Sequence, residues 1–246
     1  MEQRTRKIID ALIGYGRSVG PSELVFTDDP LIDDWIRTDA FAFLLAASVD
    51  RQMAAETAWR LPGRLRDRLG HLDPTRLSLL SEDEMLEHIL QIDGKPRYPR
   101  PAAKTIVHAA KRVCDLYDGD ARNIWRGKRA WEINRRLQEF YGIGPGIAAM
   151  VVNLLARLGE IELQREDYAS MDVKPDVHVI RVFRRLGFVE GNSEQEAVQA
   201  ARRLHPEHPA ELDAPTWHIG RTWCFPQSPD CSTCPLSSAC PRNGVA

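Results

Sequence analysis

Four of the five cysteines fall in the last 23 residues, as Cys224, Cys231, Cys234 and Cys240 in the spacing C-x6-C-x2-C-x5-C. Four thiols gathered on one centre force the chain to double back within a short span. Pro226, Pro229, Pro235 and Pro241 supply irregular turns there and limit what the unfolded segment can do. A disulfide framework is not the expected use. Met1-Glu2-Gln3-Arg4-Thr5-Arg6-Lys7 runs into an amphipathic pattern without the unbroken apolar stretch of a signal peptide or membrane span. The expected location is therefore the cytoplasm, where thiols stay reduced, with no membrane partner. Four thiolates suit either zinc or a [4Fe-4S] cluster, and spacing taken generically does not separate the two. Cys114 stands apart in a helical pattern and reads as a small core residue.

Apolar residues recur at three- and four-residue spacing nearly everywhere, which predicts an all-α fold. Val177-His178-Val179-Ile180 is a short run of ambiguous period. Helices are expected at about 2–17, 38–60, 81–91, 100–117, 128–140, 145–158, 176–186, 193–204 and 209–222. Gly20-Pro21, Leu61-Pro62-Gly63, Asp73-Pro74, Gly94-Lys95-Pro96, Gly142 to Gly146 and Gly191-Asn192-Ser193 read as the breaks between them. Ser81-Glu82-Asp83-Glu84 has capping-box spacing. Residues 159–175 lack a clear period and read as the longest loop, a seam between two helical lobes.

The net charge of −2 gives no overall attraction to a polyanion, so any nucleic-acid face must come from segregated charge. Segregation is present. Residues 94–136 hold twelve Lys or Arg against four acids, whereas residues 22–39 hold six acids and one base. Taken alone, such a run is most often a solvated face.

Two further segments carry chemistry. In Phe140-Tyr141-Gly142-Ile143-Gly144-Pro145-Gly146-Ile147-Ala148-Ala149, glycines at 142 and 144 permit a tight turn and let bare backbone approach a ligand. Pro145 suits the first turn of the next helix, and the amides there form an anion site blind to base sequence. A plain turn between helices would look the same. Thirty residues on, Asp176 follows Pro175 and precedes an apolar helical run, the position of an N-cap.

The hairpin segment resembles the helix-hairpin-helix motif of DNA-backbone-binding proteins. Val173-Lys174-Pro175-Asp176-Val177-His178-Val179-Ile180-Arg181-Val182 resembles the stretch that follows this hairpin in DNA glycosylases, with Asp176 on the family's catalytic aspartate. His218-Ile219-Gly220-Arg221-Thr222-Trp223-Cys224 and the 6-2-5 spacing resemble the cluster loop of the endonuclease III and adenine glycosylase families. With weaker likeness in Phe41 to Met53, the resemblance spans about residues 38–241. It implies a six-helix barrel-like lobe with the hairpin over 38–160. A second lobe, of 1–37 plus 161–246, would carry a structural [4Fe-4S] cluster on the four C-terminal cysteines. It also implies double-stranded DNA with a damaged or mismatched base as partner, bound by a monomer acting on the nucleoid.

On that resemblance Gly142, Gly144 and Gly146 face DNA, and Gln52 lies near the residue that fills the gap left by a flipped nucleotide. Bifunctional relatives place a lysine where this chain has Gly146, so a monofunctional glycosylase that leaves an intact abasic site is expected. The alternatives are strand cleavage through a relocated amine such as Lys174, and a DNA-binding iron-sulfur protein without chemistry. His178 and Arg181 are expected in helix packing and in phosphate or intra-protein contacts rather than in catalysis. Trp35, Tyr98, Trp125 and Tyr141 are the aromatics available to stack on an everted base. The chain ends six residues past Cys240, leaving no C-terminal domain for inspecting 8-oxoguanine, which disfavours adenine glycosylase activity.

Overall fold

The computed structural model describes residues 2–19, 27, 29–51 and 53–245, and among them all regular structure is helical. In chain order the α-helices are α1 (Glu2–Ser18), α2 (Pro30–Thr38), α3 (Ala40–Val49), α4 (Ala55–Leu69), α5 (Pro74–Ser78), α6 (Glu82–Leu90) and α7 (Pro99–Tyr117). They continue as α8 (Ala130–Leu137), α9 (Pro145–Arg157), α10 (Arg165–Tyr168), α11 (Val177–Leu186), α12 (Glu194–Leu204) and α13 (Asp213–Thr222). Single 3-10 turns stand at Ala121–Ile124 and Pro209–Leu212. None of the described helices is long and apolar enough to cross a membrane.

The chain divides into two compact units, one of residues 24–151 and 155–162, the other of 1–23, 152–154 and 163–246. Residues 29–37 thus group with the hairpin segment. The first unit is built on α3, AFAFLLAASV, which is apolar on every face and buried at every residue. Asp39 starts it, its carboxylate accepting from the amides of Phe41 and Ala42. Phe43 meets Trp59 and Trp125 edge-on at 5.5 and 6.2 Å. Trp125, 2% exposed, is therefore core and not a stacking platform.

The expected helix over 38–60 is two helices, α3 ending at Val49 and α4 starting at Ala55. No glycine or proline stands between them; Arg51, which does, reaches the hairpin and α7, as described below. Leu61-Pro62-Gly63, read as a break, lies inside α4. There Leu61, Pro62 and Leu65 are on the buried face with Ala58 and Trp59, and Gly63 lets Ile32 approach to 3.4 Å of where a Cβ would stand. Burial outweighs the amide bond that Pro62 forgoes. The capping box at Ser81 forms as its spacing indicates.

The second unit packs Ile8 and Leu12 of α1 with Val179, Phe183 and Leu186 of α11 and with Ile219 of α13. A Cβ on Gly220 would lie 2.7 Å from the Cβ of His178, so α11 and α13 touch at a point where only glycine fits. The ambiguous run at 177–180 is the first turn of α11.

Candidate functional site

Asp176 is the N-cap of α11. Its Oδ1 accepts from the amides of His178 and Val179 at 2.8 and 2.9 Å. Among the described residues no protein donor bonds its Oδ2, and the residue is half-buried beside Val177, which is 70% exposed. One carboxylate oxygen caps the helix and the other remains available to a ligand, so the capping and chemical readings do not compete.

The segment entering this cap has no regular structure and is held by side chains. Arg202 grips the carboxylate of Asp172 with two bonds of 2.7 and 2.6 Å. Asn153 Nδ2 donates to the carbonyl of Asp172 at 2.9 Å and to Asp213 Oδ2 at 3.2 Å. Asp213 Oδ1 accepts from the amide of Lys174 at 2.8 Å. Asp213 keeps some surface as a residue, but its carboxyl faces inward. Burial, with the negative charge of Asp176 adding, pushes it up to about 7, although the Lys174 amide opposes the shift. Nothing in the sequence singles out Asp213, because its partners lie 39 and 60 residues away.

In the other unit, the hairpin turns through Gly142 at φ +91°, where a Cβ would also stand 2.9 Å from both Arg51 Nη1 and Thr105 Oγ1. Ile143 is buried as the anchor of the turn, and nothing lies within 4 Å of a Cβ built on Gly144. The Gly144 carbonyl accepts from the amide of Ala148, opening α9. Proline at the first position of α9 leaves the next amides, of Gly146 and Ile147, without partners inside the helix. Arg51 ties the hairpin down, donating to the Gly142 carbonyl at 3.4 Å and to Thr105 Oγ1 of α7 at 2.8 Å. Gln52, beside it, lies outside the described residues.

Much of the basic run over 94–136 is neutralised internally. Arg100 pairs with Asp83, Arg112 with Glu139, Arg122 with Glu160, Arg126 with Asp120, and Lys128 and Arg136 with Glu132. The outer face of α7 differs. Lys104, His108 and Lys111 follow at i, i+4 and i+7, and Tyr141 of the hairpin packs against this stripe. Its ring is 4.5 Å from Lys104 Nζ and 5.4 Å from the His108 ring, while the residue stays 41% exposed. Tyr98 is also exposed, whereas Trp35 lies beneath the Arg66 guanidinium.

The four C-terminal cysteines line one recess with Arg185 and Leu236, about 410 Å³ counted out to its solvent mouth. Among the described residues no three His, Cys, Asp or Glu side chains converge tightly enough for a single metal ion. Arg185, 6% exposed, donates to Cys224 Sγ at 3.1 Å and to the carbonyls of Phe225 and Pro226 at 2.7 and 3.0 Å. Its buried Nε has no partner among the described residues. Arg181 donates to the carbonyls of Cys224 and Gly220, both at 2.7 Å, and so is an intra-protein contact. Burial pushes the Cys234 and Cys240 thiols up, so thiolates in this recess require compensating cations. A buried guanidinium on one sulfur and an amide on another, from Arg242 to Cys240 at 3.4 Å, match a site built for anionic sulfur. The donor set around this recess suits a group held by anionic sulfur.

No family model matches the chain. Among curated proteins it is similar to endonuclease III of Thermotoga maritima, 29% identical over 141 residues, covering 51% of this chain and 62% of that protein. Endonuclease III of Rickettsia felis is 27% identical, over 66% of this chain and 71% of the other. Among solved structures, a trapped endonuclease III–DNA covalent intermediate superposes with a TM-score of 0.67 at 20% identity, over 97% of this chain and 96% of that one.

The chain is thus similar in sequence to endonuclease III proteins and shares their fold. The similarity of fold extends to a thermostable thymine-DNA glycosylase, with a TM-score of 0.65, 14% identity and 98% of this chain covered. Along this chain the hairpin of Gly142, the cap of Asp176 and the cysteine loop succeed one another.

Proposed function

We propose that the protein is a DNA glycosylase acting on duplex DNA with a damaged or mismatched base, and that it hydrolyses the base–sugar bond without cutting the strand. The observation that carries this reading is the divided role of Asp176, with Oδ1 fixed by two amides and Oδ2 open to a ligand. As the base leaves with the bonding electron pair, to be neutralised by the proton that the attacking water gives up through the carboxylate, the sugar acquires oxocarbenium character. A fixed carboxylate beside it stabilises that charge and takes the proton of the water whose oxygen bonds to C1′. The hairpin amides and the Lys104–His108–Lys111 stripe are assigned to DNA phosphates, and exposed Tyr141 to the same surface. Gly142, Gly144 and Gly146 let the backbone approach.

Cys224, Cys231, Cys234 and Cys240 are assigned to a [4Fe-4S] cluster. The recess that the four thiols line, with the Arg185 guanidinium on Cys224 Sγ, supports that assignment. When bound, the cluster would crosslink the loop, leaving the chemistry to Asp176.

Gly146 offers no amine at the start of α9, which supports hydrolysis by water. A second reading, strand cleavage by Lys174, is favoured by its place two residues before Asp176 and by its charge acting on Asp213. The test is a panel of duplexes bearing uracil, thymine glycol, mismatched thymine, alkylated purines or 8-oxoguanine. Base release is scored with and without alkali, and borohydride trapping is run alongside. Alkali-dependent breaks without a trapped adduct are expected. Efficient trapping that Lys174→Ala abolishes would establish the second reading, and release from none of the panel would leave a DNA-binding protein.

A further inference from the structure

The reaction above uses Asp176 and leaves a second inward-facing carboxylate, Asp213, without a task. We propose that Asp213 is a positioning residue that fixes Asp176 by clamping the Lys174 peptide, a role that rests on Asp176 being the catalytic carboxylate. Residues 172–176 are not helical, so their polar backbone groups depend on neighbouring elements. Arg202 of α12 holds the Asp172 side chain, and Asn153 of α9 holds the Asp172 carbonyl. Val173 is fully buried between these grips. Asp213, heading α13, then takes the Lys174 amide, and the Lys174 carbonyl accepts from the amide of Asp176 itself at 2.8 Å. Asp213 is thus one peptide away from the group whose direction matters.

Both groups that Asp213 contacts are donors, an amide N–H and an Asn NH2, and donors require bare acceptor oxygens. The clamp is therefore complete when Asp213 is ionised. Protonation turns an O–H toward a donor and loosens the hold. The charged groups facing it are Lys174 and Asp176. Arg202 is engaged by Asp172, and Glu211, in the turn before α13, by Arg17 and His205. A neutral residue could hold a peptide amide without the desolvation that a buried carboxyl suffers, so an acid here points to a function beyond packing.

The experiment measures single-turnover base release and DNA affinity over pH 6–8, on whichever duplex of the panel is cleaved, for wild type, Asp213→Asn and Asp176→Asn. Wild-type release is expected to fall as pH drops through about 7, the value to which burial pushes Asp213. Asp213→Asn is expected to release base about ten- to a hundredfold slower at pH 8, because small misplacements of a reacting group cost that much. Its rate should no longer vary with pH in this range, and its DNA affinity should stay within about threefold of wild type. Wild-type rates and an unaltered pH limb in Asp213→Asn, with Asp176→Asn inactive, would overturn the clamp while leaving the catalytic aspartate in place. An active Asp176→Asn would instead remove the reading on which the clamp rests. Parallel loss of rate and affinity would reduce Asp213 to a structural residue and overturn the proposal. If Asp213→Asn does not fold, Asn153→Ala, which removes one donor from Asp213, must shift the pH limb, and an unshifted limb refutes the clamp.

Discussion

Asp176 can be divided experimentally into its two oxygens. In Asp176→Asn the side-chain carbonyl still accepts from the amides of His178 and Val179, so the cap of α11 is retained and only the charge is lost. In Asp176→Ala both go. Losing an N-cap of this kind costs about 1 kcal/mol, and in a chain of this size each kcal/mol moves Tm by about 2–4 °C. Calorimetry is therefore expected to show Asp176→Ala melting about 2–4 °C below wild type and Asp176→Asn within about 1 °C of it. Both should lose base release by a factor of about 10² or more, the scale of removing one preorganised electrostatic group. DNA binding should persist or strengthen in both, because a negative charge facing a polyanion has been removed. The reasoning fails in one half if Asp176→Asn releases base at the wild-type rate. It fails in the other if Asp176→Ala melts with the wild type, since the two amide bonds would then contribute nothing.

Three further outcomes are expected. Gly220→Ala places a methyl 2.7 Å from the His178 Cβ, so α11 and α13 must separate; an overpacking cost of about 1–3 kcal/mol should appear as a lower Tm, and an unchanged Tm would contradict the close contact. Lys104→Ala with Lys111→Ala should weaken duplex binding uniformly across sequences and reduce the slope of log K against log salt by about 1 per lysine, whereas an unchanged slope would take α7 off the phosphate track. Arg185→Ala removes the guanidinium from Cys224 Sγ and from two loop carbonyls. Purified protein should then carry less iron per chain and a weaker broad absorption in the iron-sulfur charge-transfer region, and full iron content would refute its supporting role.

Local signals in the sequence identify the elements whose stability is local. The Ser81 capping box, the periodic run of α7 and the Asp-initiated α11 all form near their expected bounds. What escaped was fixed at a distance. Arg51, between α3 and α4, bonds residues 54 and 91 positions away, and Pro62 stays helical with its face buried. Asp29-Pro30 is a regular helix start, yet the acid-rich stretch around α2 conceals it. The cysteine spacing and the place of Asp176 are legible because neighbours in sequence create them. Asp213 and Arg185 are not, because their partners come from other helices. Charge counting likewise finds the basic run but not which cations are already paired, and only the fold separates Lys104 and Lys111 from the bound arginines.

Helix α11 spans ten residues, about 15 Å, with Asp176 at its head and Arg181 and Arg185 reaching the cysteine loop from its middle and tail. A rod this short has little room to flex, so its head cannot be indifferent to what its tail is fastened to. A newly made chain whose loop has not closed lacks one of the walls against which this rod is set. Under the proposed function, competence to release a base would then arrive together with completion of the loop.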